Sequence, residues 1–377
     1  MSSRQDLTPA PPSSPAMHRF RFRARHYAVQ MAALLLGCAH QEPFPSGQAP
    51  DLGPRTDIPP IQLTYNLYPD RTPAWLEDGS GLAYSFQPWS QRAALCLGVL
   101  PAVGGTRRSE KCIQVVADTD SVKALSQVAP GPDQRAAWVD ARSFRGRVAP
   151  DHASIRIGPL TPGDTGIAVL PLPYPAPSGT LHLTVTNLGW LTPTALTYVG
   201  SDVIYVGRSS RLIDTIVVGR EVAVLDLVIT PPSVSIVPST DLATSVWPAA
   251  DGRSIYYTIA GDSRVLQQVL ATGAVTVVHD FGTRGIARDV TVRGTSLVAV
   301  VGGRVTFSID PTLGPIQRDG GGALVLVDLA SGTETDLSLP GLAARRPALS
   351  PDSRQLAVEG TDTLAIPDPN LWLVYLP

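Results

Sequence analysis

Six times along its 377 residues this chain returns to one short phrase of apolar, turn and apolar residues. Pro73-Ala74-Trp75-Leu76-Glu77-Asp78-Gly79-Ser80-Gly81-Leu82-Ala83-Tyr84 aligns without gaps on Pro347-Ala348-Leu349-Ser350-Pro351-Asp352-Ser353-Arg354-Gln355-Leu356-Ala357-Val358. A third copy runs from Trp247 through Asp251-Gly252 to Ile255-Tyr256-Tyr257, and weaker ones begin near Pro132, Trp190 and Arg293. Taking Leu82, Ala137, Leu196, Ile255, Leu297 and Leu356 as equivalent gives spacings of 55, 59, 59, 42 and 59 residues. A unit of this length cannot bury its apolar residues alone, so its copies must stack on one another.

Each copy reads as a strand, a turn of Asp-Gly chemistry and a second apolar strand. A second hairpin follows in most copies, as in Val265–Leu270 with Ala274–Val278 and Ala323–Leu329 with Thr333–Leu337. Two hairpins per copy make a four-stranded sheet, and radial repetition of such sheets is a β-propeller. The 33 Gly and 36 Pro suit many short strands joined by turns. The sixth copy ends at Asn370–Pro377 with three strands, while Ile61–Leu67 alternates apolar and polar residues. The expectation is therefore an all-β, six-bladed propeller over 57–377, closed by that N-terminal strand, which would otherwise leave a bare edge. A monomer is expected.

The Trp/Pro–Asp–Gly–aliphatic–Ala–Tyr phrase resembles the TolB-like family of WD40-type propeller repeats, clearly in three copies and more faintly in three. The resemblance implies the fold, an extracytoplasmic location and a tendency to bind other proteins. Full TolB proteins carry an α/β domain before the propeller, where this sequence has only a tether, so their partners are not carried over.

The N-terminus reads as an address. Residues 1–16 are polar and rich in Pro and Ser, and Met17 is a second candidate start. Arg19, Arg21, Arg23 and Arg25 then precede a short apolar stretch from Tyr27 to Leu36, too short to span a bilayer and suited to a signal peptide over 1–37. Leu35-Leu36-Gly37-Cys38 resembles the bacterial lipoprotein lipobox, which implies lipidation of Cys38. Ala39 in place of Asp implies release to the outer membrane, on its periplasmic face or the cell surface. Residues 38–56 are the anchor and a flexible tether. The alternative is an ordinary cleaved signal with an incidental cysteine.

Export bears on the other cysteines. Cys96 and Cys112 are each eight residues from Gly104, so an antiparallel hairpin turning there sets them face to face. In an oxidising compartment they are a candidate disulfide, with two buried thiols as the alternative.

Signals of chemistry are few. With 30 Lys+Arg against 32 Asp+Glu the net charge is −2, which argues against a nucleic-acid binder. The sequence has no Gly-x-Ser-x-Gly elbow, no phosphate-binding glycine loop and no histidine pair at metal-binding spacing. No catalysis, metal or cofactor is expected, and the alternative is a lactonase-type hydrolase or sugar dehydrogenase with a site at the channel mouth. The candidate binding face comprises loops between second and third strands at 142–151, 207–213 and 303–322. These carry Phe144, Arg145, Arg208, Arg211, Arg304, Phe307 and Arg318, with Trp89 from the first copy. Arg71 and Arg346, placed before the prolines that open their blades, are expected at the channel entrance. Arginine beside aromatics is the composition of interface anchors and suits carboxylates. The function expected is that of an envelope lipoprotein binding a protein or cell-wall partner.

Overall fold

The structure is a computed structural model and describes residues 60–65, 69–86, 96–101, 109–111, 121–144, 152–172, 182–208, 211–303, 305–310, 314–319, 321–337, 342–362 and 369–377. All fall in the second of the chain's two compact units, Ala49–Pro377. Cys38 and the signal-like segment lie outside the described residues.

The short β1 (Ile61–Gln62) comes first. Blade one is β2 (Asp70–Trp75), β3 (Gly81–Phe86), β4 (Cys96–Pro101) and β5 (Ser109–Lys111). Blade two is β6 (Ser121–Pro130), β7 (Arg135–Phe144), β8 (His152–Pro159) and β9 (Ile167–Leu172). Blade three is β10 (His182–Thr192), β11 (Ala195–Arg208), β12 (Arg211–Asp226) and β13 (Ser233–Ile236). Blade four is β14 (Ala243–Pro248), β15 (Ser254–Ile259), β16 (Arg264–Val269) and β17 (Val275–Asp280). Blade five starts with β18 (Ala287–Arg293) and β19 (Ser296–Val301). The chain then forms a separate hairpin, β20 (Val305–Asp310) and β21 (Gly314–Asp319), before β22 (Ala323–Asp328) and β23 (Thr333–Asp336) complete the blade. Blade six is β24 (Leu342–Leu349), β25 (Gln355–Asp362) and β26 (Asn370–Tyr375), with β1 paired to β26 through Ile61–Leu373 and Gln62–Trp372. Every ladder is antiparallel, so the fold is an all-β, six-bladed propeller of four-stranded blades.

What holds the blades together is visible in their second strands. The six residues taken as equivalent in the sequence, from Leu82 to Leu356, all lie there and are all fully buried. In β19, Leu297, Ala299 and Val301 pack into the layer shared with blade four, while Val298 and Val300 pack into the layer shared with blade six. A run of apolar residues without polar alternation is what a strand buried on both faces requires. Six such layers occur, one between each pair of neighbouring blades. The layer between blades six and one joins Trp75, Leu82 and Tyr84 to Ala348, Ala357 and Leu371.

The repeated phrase has a mechanical reading. Its aspartate accepts hydrogen bonds within its own turn: Ser80 N–H donates to Asp78 Oδ1 at 2.9 Å, Arg253 N–H to Asp251 Oδ1 at 2.8 Å and Arg354 N–H to Asp352 Oδ1 at 3.1 Å. The next residue takes a left-handed conformation, with φ +70° at Gly79, +65° at Gly252 and +60° at Ser353, which is why glycine is favoured there. Its tryptophan latches blades together. The indole N–H of Trp75 donates to Ala348 O at 2.8 Å, that of Trp190 to Ala129 O at 2.9 Å and that of Trp247 to Val292 O at 2.8 Å, each on a neighbouring blade. At the rim between blades four and five, Glu334 accepts from both His279 and Arg284, which also bonds Asp336.

Two of the three expected loops are ordered as strands. β11 and β12 run on together to the pair Arg208–Arg211, so the described residues of 207–213 are strand. The span 303–322 holds the β20–β21 ladder from Val305–Asp319 to Asp310–Gly314. Val305, Phe307 and Ile309 alternate with Thr306 and Ser308, a strand pattern available in the sequence. The N-terminal strand is shorter than the seven residues expected. Leu63 N–H still bonds Leu371 O at 2.8 Å, and Leu371 N–H donates to Thr64 Oγ1 at 2.9 Å.

Trp75→Phe keeps most of the ring volume but leaves the Ala348 carbonyl without its donor. A loss of about 2 kcal/mol is expected, read as a lower melting temperature by circular dichroism. An unchanged midpoint would mean that the indole latch holds nothing.

Candidate functional site: the channel and its arginine-rich mouth

The first strands of all six blades line one cavity of about 410 Å³ on the propeller axis. Each of these strands is interrupted by a bulge, for example between Arg71 and Ala74, between Thr186 and Gly189, and between Arg345 and Ala348. The bulges drive four non-glycine residues into the left-handed region: Thr72 at φ +53°, Gln127 at +53°, Asn187 at +52° and Arg346 at +47°. Such a conformation costs on the order of 1 kcal/mol per residue and is rarest for a β-branched side chain such as Thr72. All four border the channel.

Hydrogen bonds from one blade to the next hold these bulges. Thr72 N–H donates to Glu359 Oε1 at 2.6 Å, Asn187 N–H to Gln127 Oε1 at 3.0 Å and Arg346 N–H to Asp289 Oδ2 at 3.1 Å. In each case the acceptor belongs to the preceding blade. Glu359, only 2% exposed, also accepts from the Arg346 guanidinium at 3.1 Å. Burial pushes the Asp289 carboxyl above its ordinary value of 3.8. The Arg346 N–H and the charges of Arg346 and Arg288 pull it down, and Glu359 adds to the rise.

Where the first strands begin, the channel opens into a second cavity of about 570 Å³. Arg220, Arg288, Arg345 and Arg346 line it, and Asp289 is the one carboxylate residue among its described lining. Arg220 is half-buried, and burial lowers the pKa of its guanidinium. Four guanidinium groups around one opening are donors for carboxylate or phosphate oxygens, in geometries that a planar fork serves well.

Of the residues expected from the sequence, Arg346 is among those that line the channel. Arg71 is exposed, and its neighbour Thr72 lines the wall. Phe144, Arg208, Arg211, Phe307 and Arg318 lie on strands β7, β11, β12, β20 and β21. Trp89, Arg145 and Arg304 lie outside the described residues. Cys96 is fully buried and disulfide-bonded. Its expected partner, Cys112, lies outside the described residues. The pairing of Leu97 with Lys111 is the register that equal distance from Gly104 requires. Sequence reasoning missed Arg220, Arg288 and Arg345, which come from three blades and share no local pattern. Among the described residues no three of His, Cys, Asp and Glu gather as metal ligands.

Two outcomes are expected from these contacts. Because folded Asp289 holds its proton to a higher pH than unfolded Asp does, stability falls as pH rises from about 4 through the raised value. Asp289→Asn keeps an acceptor for Arg346 N–H and flattens that slope; an identical pH dependence of the melting temperature in both chains would refute it. Arg346→Ala strips the buried Glu359 of its paired charge. A cost of about 2 kcal/mol is expected in denaturant titration, less than for a fully enclosed pair because the guanidinium is 36% exposed.

No protein-family model matches the chain, and no curated protein matches it. Solved structures do match. TolB from Acinetobacter baumannii is 14% identical, with 79% of this chain and 64% of that one covered and a TM-score of 0.49. XC5397 from Xanthomonas campestris, described as a gluconolactonase, is 16% identical, with 85% and 95% covered and a TM-score of 0.48. An oligogalacturonate lyase from Vibrio parahaemolyticus is 9% identical, with 86% and 92% covered and a TM-score of 0.43. This chain thus spans about 64% of the length of the Acinetobacter TolB. At these values the likeness extends to the fold alone. The expectation that the chain is not an enzyme is corrected by the same comparison. Two enzymes stand beside TolB among the similar folds, so the propeller gives no ground for excluding catalysis.

Proposed function

We propose that this chain is a lipid-anchored envelope protein whose propeller binds a carboxylate-bearing protein or cell-wall partner at the arginine-rich mouth. The observation that carries the reading is the convergence of Arg220, Arg288, Arg345 and Arg346 on one opening, with Asp289 the one carboxylate residue in its described lining and Glu359 paired to Arg346. A net charge of −2 for the whole chain makes this local excess of cations a property of the site and not of the composition. The Arg-rich segment, the short apolar stretch and Leu35-Leu36-Gly37-Cys38 support the anchor and the envelope location.

A fluorescent hexaglutamate peptide tests the mouth by anisotropy. Arg288→Gln with Arg345→Gln is expected to weaken binding about tenfold or more, while Arg253→Gln, exposed on a turn far along the sequence, leaves it unchanged. Equal weakening by both would reduce the effect to overall charge and discard the mouth as the site. For the anchor, metabolic labelling with palmitate is expected to mark the wild-type chain in membranes and not Cys38→Ala. Label retained in that variant would overturn lipidation at Cys38.

A further inference from the structure

The end of the propeller opposite the mouth exposes aliphatic side chains on three neighbouring blades. That end holds the turns between first and second strands and those between third and fourth, which are tied together: Leu227 N–H bonds Thr194 O in blade three, and Leu270 N–H bonds Arg253 O in blade four. Ile167 of blade two is 75% exposed and Val228 of blade three 71%, with Ile229 beside it and Val275 in blade four. Asp226 Oδ1 accepts from Val228 N–H at 2.8 Å, which makes that tip a built turn. The patch continues the interior. Ile167 lies opposite Ile157 and exposed Val234 opposite Leu225, both of the layer between blades two and three, and exposed Val277 lies opposite Leu266 of the layer between blades three and four. Residues 165–181, 227–240 and 265–278, which carry these side chains, contain no Asp, Glu, Lys or Arg, whereas the outer strands of blades one and five carry Glu110, Lys111, Glu334 and Asp336. Apolar side chains exposed singly are ordinary, but a contiguous rim without charge marks a contact surface.

We propose that this rim meets a phospholipid bilayer, with Ile167, Val228, Ile229 and Val275 entering its interfacial layer and the arginine mouth facing away. Two observations favour lipid over another protein. Pro231, Pro232 and Pro238 bracket β13, so its open edge is poorly suited to an added strand. The chain also reaches the propeller from this same end, since β1 is antiparallel to β26, and Leu376 N–H, just past β26, bonds Arg354 O in the turn of blade six. The chain ahead of β1 therefore joins the ring on the side of the rim, and for bringing a bilayer there the orientation rests on the anchor read at Cys38. An anchored chain meets the bilayer at high local concentration, so a few aliphatic side chains suffice. The turns nearer the axis mix Asp133, Asp251 and Asp352 with Arg253 and Arg354, so the lipid expected is zwitterionic and not anionic.

For the test, the full chain with Cys38→Ala and an N-terminal hexahistidine is held on phosphatidylcholine vesicles by a nickel-chelating lipid. A nitrobenzoxadiazole label on Val228→Cys is expected to shift to the blue and to lose emission to phosphatidylcholine spin-labelled in its acyl chains. The same label on Leu242→Cys, exposed on blade three at the mouth end and bonded through its N–H to Arg220 O, should do neither. Ile229→Ser with Ile167→Ser should reduce both signals from Val228→Cys. The proposal is overturned if the label on Val228→Cys neither shifts nor is quenched, or if the two labelled positions respond alike. Because the chelating lipid holds the chain, the result does not depend on acylation. A missing palmitate label would remove the anchor and leave the rim, whereas a silent label on Val228→Cys would remove the rim and leave the anchor.

Discussion

Apolar packing between the faces of neighbouring blades is the interaction on which everything else in this protein rests. A four-stranded sheet with Leu297, Ala299 and Val301 on one face and Val298 and Val300 on the other has no soluble side. It must be covered twice, and six such sheets satisfy one another only in a ring. Each layer is a hydrophobic core of modest size, so stability is spread around the axis and no single centre dominates. The indole latches and turn aspartates add direction to this packing. They fix which residue of one blade meets which residue of the next.

The chemistry of the channel depends on that arrangement. Left-handed residues such as Thr72 and Arg346 and a buried carboxylate such as Glu359 all raise the free energy of the folded chain. They persist because well-packed layers lie immediately behind them. Thr72, Asn187 and Arg346 each give a backbone N–H to the preceding blade, so the bulges that aim side chains into the channel are also joints between blades. The result is a passage with two characters: guanidinium groups gathered at one opening, and tryptophan and proline with Glu77 and Arg293 toward the other.

Much of the fold was legible in the sequence because its determinants are local. Asp78-Gly79, Asp251-Gly252 and Asp352-Ser353 mark turns by the hydrogen bonds and backbone angles those residues favour, and the run Leu297–Val301 marks a strand covered on both sides. The β20–β21 hairpin was equally local, and its alternating Val305, Phe307 and Ile309 could have revealed it. The site was less legible. Arg346 directly precedes the proline of its blade and lines the wall, and the residue that matches it in blade one is Thr72, whereas Arg71 matches Arg345. The bulge falls at the same place in both strands, so the residue next to the proline faces the axis in each. Arg220 and Arg288 meet only because blades three and five flank the same opening, a fact of topology that no spacing encodes. The exclusion of catalysis failed for a related reason, since missing motifs speak only about groups that lie close together along the chain.

The hydrogen bonds between successive first strands have a consequence for selectivity. One wall of the channel cannot be pushed outward alone, since the bulges at Thr72, Asn187 and Arg346 are each tied to the blade before them and each blade is packed on two neighbours. The bore is therefore preorganised, and a guest loses little free energy in shaping its host. Molecules would be sorted by girth first and by charge second, as a gauge sorts rods. Substitutions that retune the gauge would have to come from six strands widely separated along the chain, so its bore can drift in small independent steps while the ring around it stays closed.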